Sequence, residues 1–547
     1  MSLHPQEIAP IPEETRRVAN AAFPKGSIYL RMRDQIGTIF NDPMFAPLFP
    51  IRGQPAESPW RLTLIMVMQF VEGLSDRQAA DAVRCRIDWK YALSLDLTDP
   101  GFDASVLCEF RVRLVDNGTG SALLNAMLAR FKECGLLKAR GQQRTDSTHV
   151  LAAVRSVNRL ELLGETLRAA LNTLAMVERN WLADLISPDW FDRYSTRVEQ
   201  YKFPKSEAKR TTLAETIGAD GHLILAAVYG ALAPTWLREL PAIQTLRIVW
   251  IQQFYIDNHV VRLRSKEDLP PASLCVSSPY DVDAHYSKKR ETSWSGYKVH
   301  VTETCDTDSP HLIINVETTS APVSDNVMTA PIHQALADRE LSPSTHLLDA
   351  GYVDAANVIN SLFEHNVDVV GPMLADTSWQ AKAGEGFDIS AFAIDWETKQ
   401  ATCPQGQITS DWTIRRDTFD NECVDIRFNH AICAGCSQRA QCTRSKTRPR
   451  EIMLRPRPQH ELLQTRRQQQ TTDTWRAQYD KRAGIEGTLS QGVRAFGLRR
   501  CRYIGLTKTR LQHIMTAIAM NVVRIDAWLT GRPLAKTRRS AFANVRG

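Results

Sequence analysis

The stretch from Tyr479 to Arg510 constrains this chain more than any other, because it places one interior acid among many bases. It contains eight Lys and Arg residues and only two carboxylates, Asp480 and Glu486. Residues three and four apart lie on one face of a helix, so the spacing predicts that Tyr479, Arg482 and Glu486 share a face. A carboxylate held among bases is suited to bind a metal beside a polyanion. A solvated basic helix is the alternative.

The spacing Tyr-x2-Arg-x3-Glu, formed by Tyr479, Arg482 and Glu486, resembles the signature of DDE-type transposases of bacterial insertion sequences. That family closes the signature with a Lys seven residues after the Glu, where this chain has Val493 followed by Arg494. The resemblance implies an RNase H-like core on which three carboxylates hold two Mg²⁺ or Mn²⁺ ions. It also implies that two more acids lie upstream, at the ends of β-strands.

Charge is distributed unevenly along the 547 residues. Residues 481–547 hold fourteen Lys and Arg against two acids, a local charge of +12, and residues 443–470 hold eight against two, a local charge of +6. Because the whole chain carries +6, the remainder is acidic, at −12. A basic C-terminal third on an acidic body predicts a polyanionic partner. The alternative is a basic tail that only aids solubility.

Targeting signals are not visible in the sequence. The N-terminus is polar and rich in Pro, without the apolar core of a signal peptide. The longest apolar window, Leu62 to Val71, is interrupted by Gln69 and is too short to cross a bilayer. Eleven Cys without a secretion signal fit a reduced compartment. We therefore expect a cytoplasmic, nucleoid-associated protein that has no membrane partner.

We expect residues 1–25 to form a flexible arm and residues 26–140 to form a helical domain. Apolar residues recur at helical spacing from Leu62 to Val71, Gly73 then breaks the helix, and Ser75-Asp-Arg-Gln78 is a capping box that opens the next one. Two helices joined by a short turn are compatible with a helix-turn-helix, and an ordinary helical packing domain is the alternative. The region resembles the N-terminal domain of the same transposases, which implies site-specific binding to the element's ends.

Two upstream acids stand in strand-like contexts. Asp146 lies in Thr-Asp-Ser-Thr, where β-branched neighbours predict a strand, and a turn-forming Asp is the alternative. Asp349 follows an apolar strand end and precedes Gly351, and α/β sheets build sites at the carboxyl ends of strands. Asp354 is the better candidate to cap the following helix. The resemblance matches Asp146, Asp349 and Glu486 to the three catalytic, metal-binding acids.

The remaining pattern indicates an α/β fold, with an RNase H-like mixed-sheet core interrupted by two insertions. Alternation predicts half-buried strands at 294–303 and 311–319, and a helix and a strand follow at 355–365 and 367–371. A strongly helical block runs from residue 156 to about residue 265. We assign the catalytic core to 141–155 and 280–371, a helical insertion to 156–279, a cysteine-rich insertion to 372–470, the last core helix and a basic DNA-binding segment to 471–525, and a basic tail to 526–547.

Cysteines between residues 403 and 442 form a candidate zinc site. Cys433-x2-Cys436 has the spacing with which two thiolates bind one zinc ion, and Cys403 and Cys442 would complete a site of four thiolates. Cys423 and His430 are spare candidates. Clustered cysteines in a reduced compartment more often bind metal than form disulfides, and buried free thiols are the alternative. Members of the family carry a similar cysteine-rich insert at this place.

The resemblance implies a DNA transposase that cuts at the ends of an insertion sequence and joins them to target DNA. Its partners would be double-stranded DNA, both the element's terminal repeats and the target, and a second copy of the chain in a homodimeric synaptic complex. A metal-dependent nuclease on the same core and a catalytically inactive DNA-binding relative are the alternatives. We expect DNA to be contacted by Tyr479, Arg482, Arg494, Arg499, Arg500, Arg502, Lys508 and Arg510.

Overall fold

The computed structural model describes residues 1–155, 157–199, 203–418, 420–533 and 545. The chain divides into two compact units that are each built from separated segments. Unit 1 contains Met1–Lys138, Asp146–Val323 and Glu486–Gly547, and unit 2 contains Ala139–Thr145 and Ser324–Ile485. Most of the predicted basic tail, residues 534–544 and 546–547, lies outside the described residues.

The α-helices are numbered in chain order, and shorter turns of other helix types lie between them. The helices are α1 (Glu13–Ala22), α2 (Ile28–Arg31), α3 (Pro59–Glu72), α4 (Asp76–Cys85), α5 (Ile87–Ala92), α6 (Ser105–Asp116), α7 (Gly120–Glu133), α8 (Arg159–Val177), α9 (Arg179–Ala183), α10 (Asp189–Tyr194), α11 (Glu207–Val228), α12 (Pro241–Gln253), α13 (Thr329–Asp338), α14 (Ala355–His365), α15 (Trp379–Ala383), α16 (His430–Ala434), α17 (Arg439–Cys442), α18 (Arg457–Gln469), α19 (Asp473–Tyr479), α20 (Gly484–Phe496) and α21 (Leu506–Leu529). A π-helical turn lies at Met32–Ile36, and 3₁₀ turns lie at Asp42–Leu48, Thr235–Glu239, Asp325–Met328, Ile389–Ala391 and Asp480–Ala483.

The strands are short apart from those that carry or flank the candidate site. In chain order they are β1 (Arg140–Leu151), β2 (Phe254–Asp257), β3 (Val260–Leu263), β4 (His285–Lys289), β5 (Thr292–Thr304), β6 (Ile313–Ser320), β7 (Pro343–Leu348), β8 (Asp368–Val370), β9 (Ala393–Asp395), β10 (Gln400–Thr402), β11 (Ile408–Thr409), β12 (Asp411–Arg416), β13 (Glu422–Arg427) and β14 (Glu451–Leu454).

The N-terminal part of unit 1 is helical, as predicted. Ser75 and Gln78 form the predicted capping box at the start of α4, with each side chain bonded to the backbone of the other. The predicted flexible arm differs from the structure, because it contains α1. Thr15 of that helix is buried, and its hydroxyl donates to the carbonyl of Leu95 at 2.8 Å. Burial of this helix ties the arm to the rest of the unit.

Helix α3 is buried because α21 packs against it within unit 1. The guanidinium of Arg502, in the loop before α21, lies over the ring of Phe70 at 4.6 Å from its centroid. Arg31 of α2 forms an ion pair with Asp526 of α21 at 2.6 Å. Residues 26–140, predicted as a DNA-binding domain, therefore share their core with α21.

The sheet of unit 1 is antiparallel where β5 pairs with β4 and β6. Strands β5 and β6 confirm the two strands predicted at 294–303 and 311–319. Helix α21 lies on this sheet, where the side-chain amide of Asn521 bonds both backbone groups of Ile313 at 2.8 Å. The hydroxyl of Thr318 and Nδ1 of His513 are 2.8 Å apart in the same interface. Buried polar groups need such partners, so these pairs specify how α21 lies on the sheet.

Helices α8, α11 and α12 surround an apolar core of their own in unit 1, in the predicted helical block. The prediction of helix up to about residue 265 is wrong at its end, because α12 stops at Gln253 and β2 and β3 form a hairpin. Asn258 and His259 have φ of 47° and 65°. A two-residue hairpin turn requires this left-handed conformation, so the turn, rather than helix propensity, decides the local structure.

Unit 2 contains a parallel sheet in which the first half of β1 pairs with β7, and β7 pairs with β8. Helix α14 confirms the helix predicted at 355–365, and β8 lies within the strand predicted at 367–371. Two smaller antiparallel sheets, β9–β11 and β12–β14, enclose a separate apolar core. With parallel strands in unit 2 and antiparallel strands in unit 1, the fold is mixed α/β, which is compatible with the core of a DDE enzyme.

A helix must be both long and apolar to cross a bilayer. Within the described residues, every helix is too short or too polar to do so.

Candidate active site

The two predicted upstream acids follow the last register pair of the parallel strands β1 and β7. Thr145 pairs with Leu348, and the next residues along the chain are Asp146 and Asp349. Both acids are half-buried, and each accepts a hydrogen bond from a following backbone N–H, at 2.7 and 2.8 Å. Asp349 lies directly after the carboxyl end of β7, where α/β folds build their sites. Asp146 instead lies within β1, which continues to Leu151, so the expectation that both acids lie at strand ends is met by Asp349 alone.

Asp349 does not cap the helix that follows it. Asp354 has that role, because its side chain accepts a hydrogen bond from the backbone N–H of Asn357 at 2.8 Å, as the sequence predicts. Asp349 instead begins a tight turn, in which the N–H of Tyr352 donates to its carbonyl at 3.1 Å. The carboxylate of Asp349 is therefore not required for starting α14.

A buried chain of hydrogen-bonded side chains connects β1, β7 and α13 in unit 2. Thr145 Oγ1 lies 2.7 Å from His346 Nε2, and His346 Nδ1 lies 2.8 Å from His333 Nε2. Burial lowers the pKa of His346 well below its usual value and lowers the pKa of His333 to about 4. Both rings are therefore neutral near pH 7, and their hydrogen bonds link Thr145, the residue before Asp146, to His346 on β7.

Glu486 lies in the first turn of α20 with an exposed side chain. A buried polar cluster in unit 1 anchors this helix. The hydroxyl of Thr488 donates to Glu303 Oε2 on β5 at 2.5 Å, and Arg524 of α21 forms an ion pair with the same oxygen at 2.6 Å. Arg524 also donates to the Thr488 hydroxyl at 2.7 Å. Loss of one partner would leave a buried charge unpaired, so the cluster specifies where α20 lies on β5 and α21.

Before Asp146, strand β1 contacts the residues that lead into α20, and both sets belong to unit 2. Lys481 Nζ donates to Gln142 Oε1 at 3.0 Å, and Arg144 Nη1 donates to the carbonyl of Lys481 at 2.5 Å. Arg144 is buried, and its guanidinium lies against Gly484. These contacts hold β1 against the beginning of α20.

After Asp146, strand β1 contacts the residues that follow α20, and both sets belong to unit 1. Arg499 Nε donates to Thr148 Oγ1 at 2.7 Å, and the backbone N–H of Leu151 donates to the carbonyl of Arg499 at 2.8 Å. Asp146 therefore lies between two parts of β1 that contact the chain on either side of Glu486. The contacts bring together the elements that carry these two acids.

Tyr479, Arg482 and Glu486 do not share one continuous α-helix, so this part of the sequence prediction is wrong. Tyr479 ends α19, Arg482 lies in the 3₁₀ turn Asp480–Ala483, and Glu486 lies in α20. A 3₁₀ turn advances about 120° per residue and an α-helix about 100°. Over four residues the difference rotates Glu486 by roughly 80° away from the face that the spacing predicts.

An aromatic stack lies just before that turn, in unit 2. The rings of Trp475 and Tyr479 are nearly parallel, at 16°, with their centroids 4.8 Å apart. The guanidinium of Arg482 lies over the ring of Tyr479, 5.9 Å from its centroid. Both rings are half-buried. Tyr479 and Arg482, two predicted DNA contacts, are therefore brought together, with Trp475 beside them.

The other predicted DNA contacts fall into two groups. Arg499, Arg502 and Arg510 have protein partners, since Arg499 bonds Thr148, Arg502 lies over Phe70, and Arg510 forms an ion pair with Glu317 at 2.7 Å. The second group consists of Arg494, Arg500 and Lys508, which are exposed, as Arg502 and Arg510 also are. Exposed cations bind phosphate without giving up a protein contact, so this second group is better placed to hold DNA.

Four of the predicted zinc ligands line one pocket in unit 2, and the two spare candidates do not. Cys403, Cys433, Cys436 and Cys442 share this pocket. Burial raises the pKa of the Cys442 thiol, the nearby Arg450 opposes the shift, and the other three thiols add to it. Cys423 is instead buried in β13, and His430 Nε2 lies 2.8 Å from the carbonyl of Thr447.

Metal binding depends on which donor groups lie together. Among the described residues, no group of three or more His, Cys, Asp and Glu side chains is arranged to hold an ion. Carboxylates are nevertheless the donors that Mg²⁺ and Mn²⁺ prefer, and Mg²⁺ often uses one or two of them together with water and substrate phosphates. Thiolates are donors that zinc prefers. The residue types therefore fit both metals.

Three further residues beside the predicted ones, Arg144, Gly484 and Trp475, do not follow from the sequence patterns above. A signal for Trp475 exists, because it precedes Tyr479 by four residues and therefore shares its helix face. For Arg144 and Gly484 no local signal exists, since their contact joins residues 340 positions apart in the chain.

Comparison with known protein families gives matches at two places in the chain. Residues 402–526 match the family described as a Transposase DDE domain. The matched range contains Glu486 and the four pocket cysteines. Residues 17–113 match the family described as a Transposase domain (DUF772), and this range contains α3 and α4. No curated protein matches the chain significantly. Together, the two family matches support this chain as a DDE-type insertion-sequence transposase.

Proposed function

We propose that this transposase cuts DNA at the ends of an insertion sequence and joins those ends to target DNA. The observation that carries the proposal is the arrangement of β1. Before Asp146, β1 contacts Lys481, and after Asp146 it contacts Arg499. These two residues lie on either side of α20, the helix that contains Glu486. Asp349 follows β7 at the end of its register with β1. We assign the three carboxylates of these residues as the catalytic acids.

In the proposed reaction, water first attacks the phosphorus at the element's end, and the bond between that phosphorus and the 3′-oxygen breaks. The freed 3′-hydroxyl then attacks a phosphodiester of the target, loses its proton and forms a new phosphorus–oxygen bond. The target strand leaves with its own 3′-hydroxyl. No covalent intermediate with the protein is needed, so the chain contributes positioning and charge.

DDE transposase domains generally use divalent metal ions. We propose that Asp146, Asp349 and Glu486 hold two Mg²⁺ or Mn²⁺ ions, with water and DNA phosphates completing the coordination. Such ions, when bound, activate the attacking oxygen and stabilise the leaving oxygen of an in-line displacement. The three acids contribute negatively charged oxygen donors from separate segments of the chain.

DNA binding is proposed to be shared between the two ends of the chain. The exposed cations Arg494, Arg500 and Lys508 would bind backbone phosphates, with Arg482 near the scissile phosphate and Tyr479 against the DNA end. Helix α4, which follows the turn at Gly73, would read the element's ends in a major groove. A homodimer in a synaptic complex would bring two ends together.

Replacement of each proposed acid tests this function. Asp146→Ala, Asp349→Ala and Glu486→Ala should each abolish cleavage of linear DNA that carries the flanking repeats, because each removes a metal donor. Binding to the same DNA should change little. Asp354→Asn is a matched control, since that residue caps α14 and is not proposed to take part in the chemistry.

The products of the unaltered chain decide between the proposal and its rivals. Joined products support a transposase, and cleavage without joining would identify a metal-dependent nuclease on the same core. Binding without cleavage, in the presence of Mg²⁺ or Mn²⁺, would identify a catalytically inactive relative. Cleavage retained by one of the three Ala variants would remove that residue from the site.

A further inference from the structure

We propose that Arg144 is a positioning residue for Glu486, acting through the 3₁₀ turn before α20. The inference rests on the proposed function, because it takes Glu486 as a catalytic acid. Arg144 and the turn Asp480–Ala483 both belong to unit 2, and Glu486 follows the turn by three residues. The contact therefore joins the strand that carries Asp146 to the start of the helix that carries Glu486.

The position of Arg144 argues against a direct contact with DNA. Its side chain is buried at 6% exposure in a strand, whereas Arg494 and Arg500 are exposed. A guanidinium costs free energy to bury unless its donors are satisfied. In this strand Nη1 donates to the carbonyl of Lys481 at 2.5 Å. A buried cation that donates to a backbone carbonyl is suited to hold a chain conformation.

That carbonyl is the place where the helix changes type. In an α-helix the Lys481 carbonyl would accept the N–H four residues on, but it accepts the N–H of Gly484, three residues on. Arg144 donates to the same oxygen from the side. Side chains that insert into the helical hydrogen-bond ladder are a recognised cause of such irregularities. Arg144 thereby stabilises the tighter turn.

Gly484 makes room for this interaction. A Cβ at this position would lie less than 3.0 Å from Cζ and both terminal nitrogens of Arg144, closer than real Cβ atoms approach. The backbone of Gly484 is right-handed helical, with φ of −62° and ψ of −24°, so any residue could adopt it. Glycine at this position therefore leaves room for the guanidinium, and the backbone conformation does not call for it.

The turn determines the direction in which Glu486 points. Without it, a continuous α-helix from α19 would rotate Glu486 by roughly 80°. A displacement of about 1 Å at a catalytic group can cost roughly a hundredfold in rate. Loss of the Arg144 contact should therefore slow cleavage without preventing the chain from binding DNA.

Thermal unfolding of the full-length chain tests the contact itself. Gly484→Ala should lower Tm in the unaltered chain, because the new Cβ displaces the buried guanidinium. In an Arg144→Ala background the same change should raise Tm, because the obstacle is gone and Ala favours a helix over Gly. An effect of Gly484→Ala with the same sign and size in both backgrounds would overturn the inference.

Single-turnover cleavage tests the positioning role. Arg144→Ala, Gly484→Ala and the double variant should all cut about a hundredfold more slowly, with an unchanged Kd for end DNA. The double variant is decisive, because its Tm should be higher than that of Arg144→Ala while its cleavage rate stays low. If Arg144 only stabilised the fold, the cleavage rate would recover together with Tm. Arg144→Lys, which keeps the charge but not the planar group, should also stay slow.

Arg140→Ala is the matched control, since that arginine lies on the same strand and donates to the carbonyl of Asn366. It should cut at the rate of the unaltered chain. Normal cleavage by Arg144→Ala, with an active unaltered chain, would overturn this inference alone. If the unaltered chain and Arg140→Ala neither cut nor join DNA, the proposed function fails and takes the positioning role with it.

Discussion

His333 and His346 illustrate how a buried polar side chain can join distant parts of a fold. The two rings bond each other, and His346 also bonds Thr145. Burial removes water from both rings and lowers their pKa values, so the neutral form of each ring is favoured. His513 is in the same condition in unit 1, where burial lowers its pKa to about 3. Each of these histidines stabilises the fold only while it stays unprotonated.

This condition predicts acid sensitivity of unit 2. An unfolded chain binds a proton at His333 near pH 6.5, whereas the folded chain binds one only near pH 4. Between these values the unfolded chain holds more protons, so the free energy of unfolding falls as pH falls. The stabilisation is complete above about pH 6.5 and is lost progressively towards pH 4.

His333→Gln should therefore show a shallower loss of stability over that range than the unaltered chain, although it should be less stable at about pH 7. Urea unfolding at a series of pH values measures both effects. His430→Gln, at an exposed histidine, is the control for the substitution itself. An identical slope for His333→Gln and the unaltered chain would contradict the prediction.

Elements whose ends are specified by neighbouring residues were predictable from the sequence. The bounds of α14 follow from the Asp354 cap, and α4 follows from the Ser75 capping box. The β2–β3 hairpin was missed, since two left-handed residues in its turn outweigh a helical pattern. The break before α20 was missed for a different reason, because the Arg144 contact with the carbonyl of Lys481 in that turn joins residues far apart in the chain.

The candidate site divides in the same way. Each acid could be proposed from its local context, because Asp146 lies among β-branched residues, Asp349 follows an apolar strand and Glu486 lies among basic residues. What brings β1 to α20 could not be proposed, because it depends on side chains such as Thr148 and Arg499 whose contact is not local. Sequence patterns specify which residues can react, and tertiary contacts specify where those residues lie.

The cysteine pocket supports a prediction at the scale of one element. Cys403 lies in a turn where the backbone N–H of Gln407 donates to its sulfur at 3.4 Å. If the four pocket cysteines hold structural zinc, the purified chain should contain about one zinc per molecule. Cys436→Ser should lose the metal and destabilise the small sheets around it.

Zinc content and thermal unfolding check this prediction together. Cys423→Ser is the matched control, because that cysteine is buried in β13 outside the pocket. It should keep its zinc. If freshly prepared protein that has not met a chelator lacks stoichiometric zinc, the zinc prediction is wrong and the four pocket cysteines are free thiols.

At the scale of the whole molecule, sequence recognition and phosphate binding should be separable even though both ends of the chain lie in unit 1. Helix α4 exposes Arg77 and Gln78, and the C-terminal segment exposes Arg494, Arg500 and Lys508. Because α3 is covered by α21, an isolated N-terminal fragment would expose an apolar face. The experiment therefore requires the full chain.

Arg77→Ala with Gln78→Ala should reduce the preference for end DNA over random DNA. Replacing Arg494, Arg500 and Lys508 by Ala should weaken both kinds of binding equally and make binding less dependent on salt, by about 0.9 in slope for each phosphate that is no longer neutralised. Arg17→Ala, an exposed arginine of α1 paired with Glu14, is the control. A reduced preference in the C-terminal variant instead would place recognition beside α20, the helix that contains Glu486.

The segmented make-up of unit 1 has a consequence during synthesis. Strands β5 and β6 leave the ribosome roughly two hundred residues before α21, the helix that covers them. At translation rates of about 5–20 residues per second, roughly ten to forty seconds pass between the synthesis of these strands and the synthesis of α21. A nascent chain exposes the apolar face of the strands throughout this interval, so its yield in the cell should depend on chaperones that shield unfinished proteins.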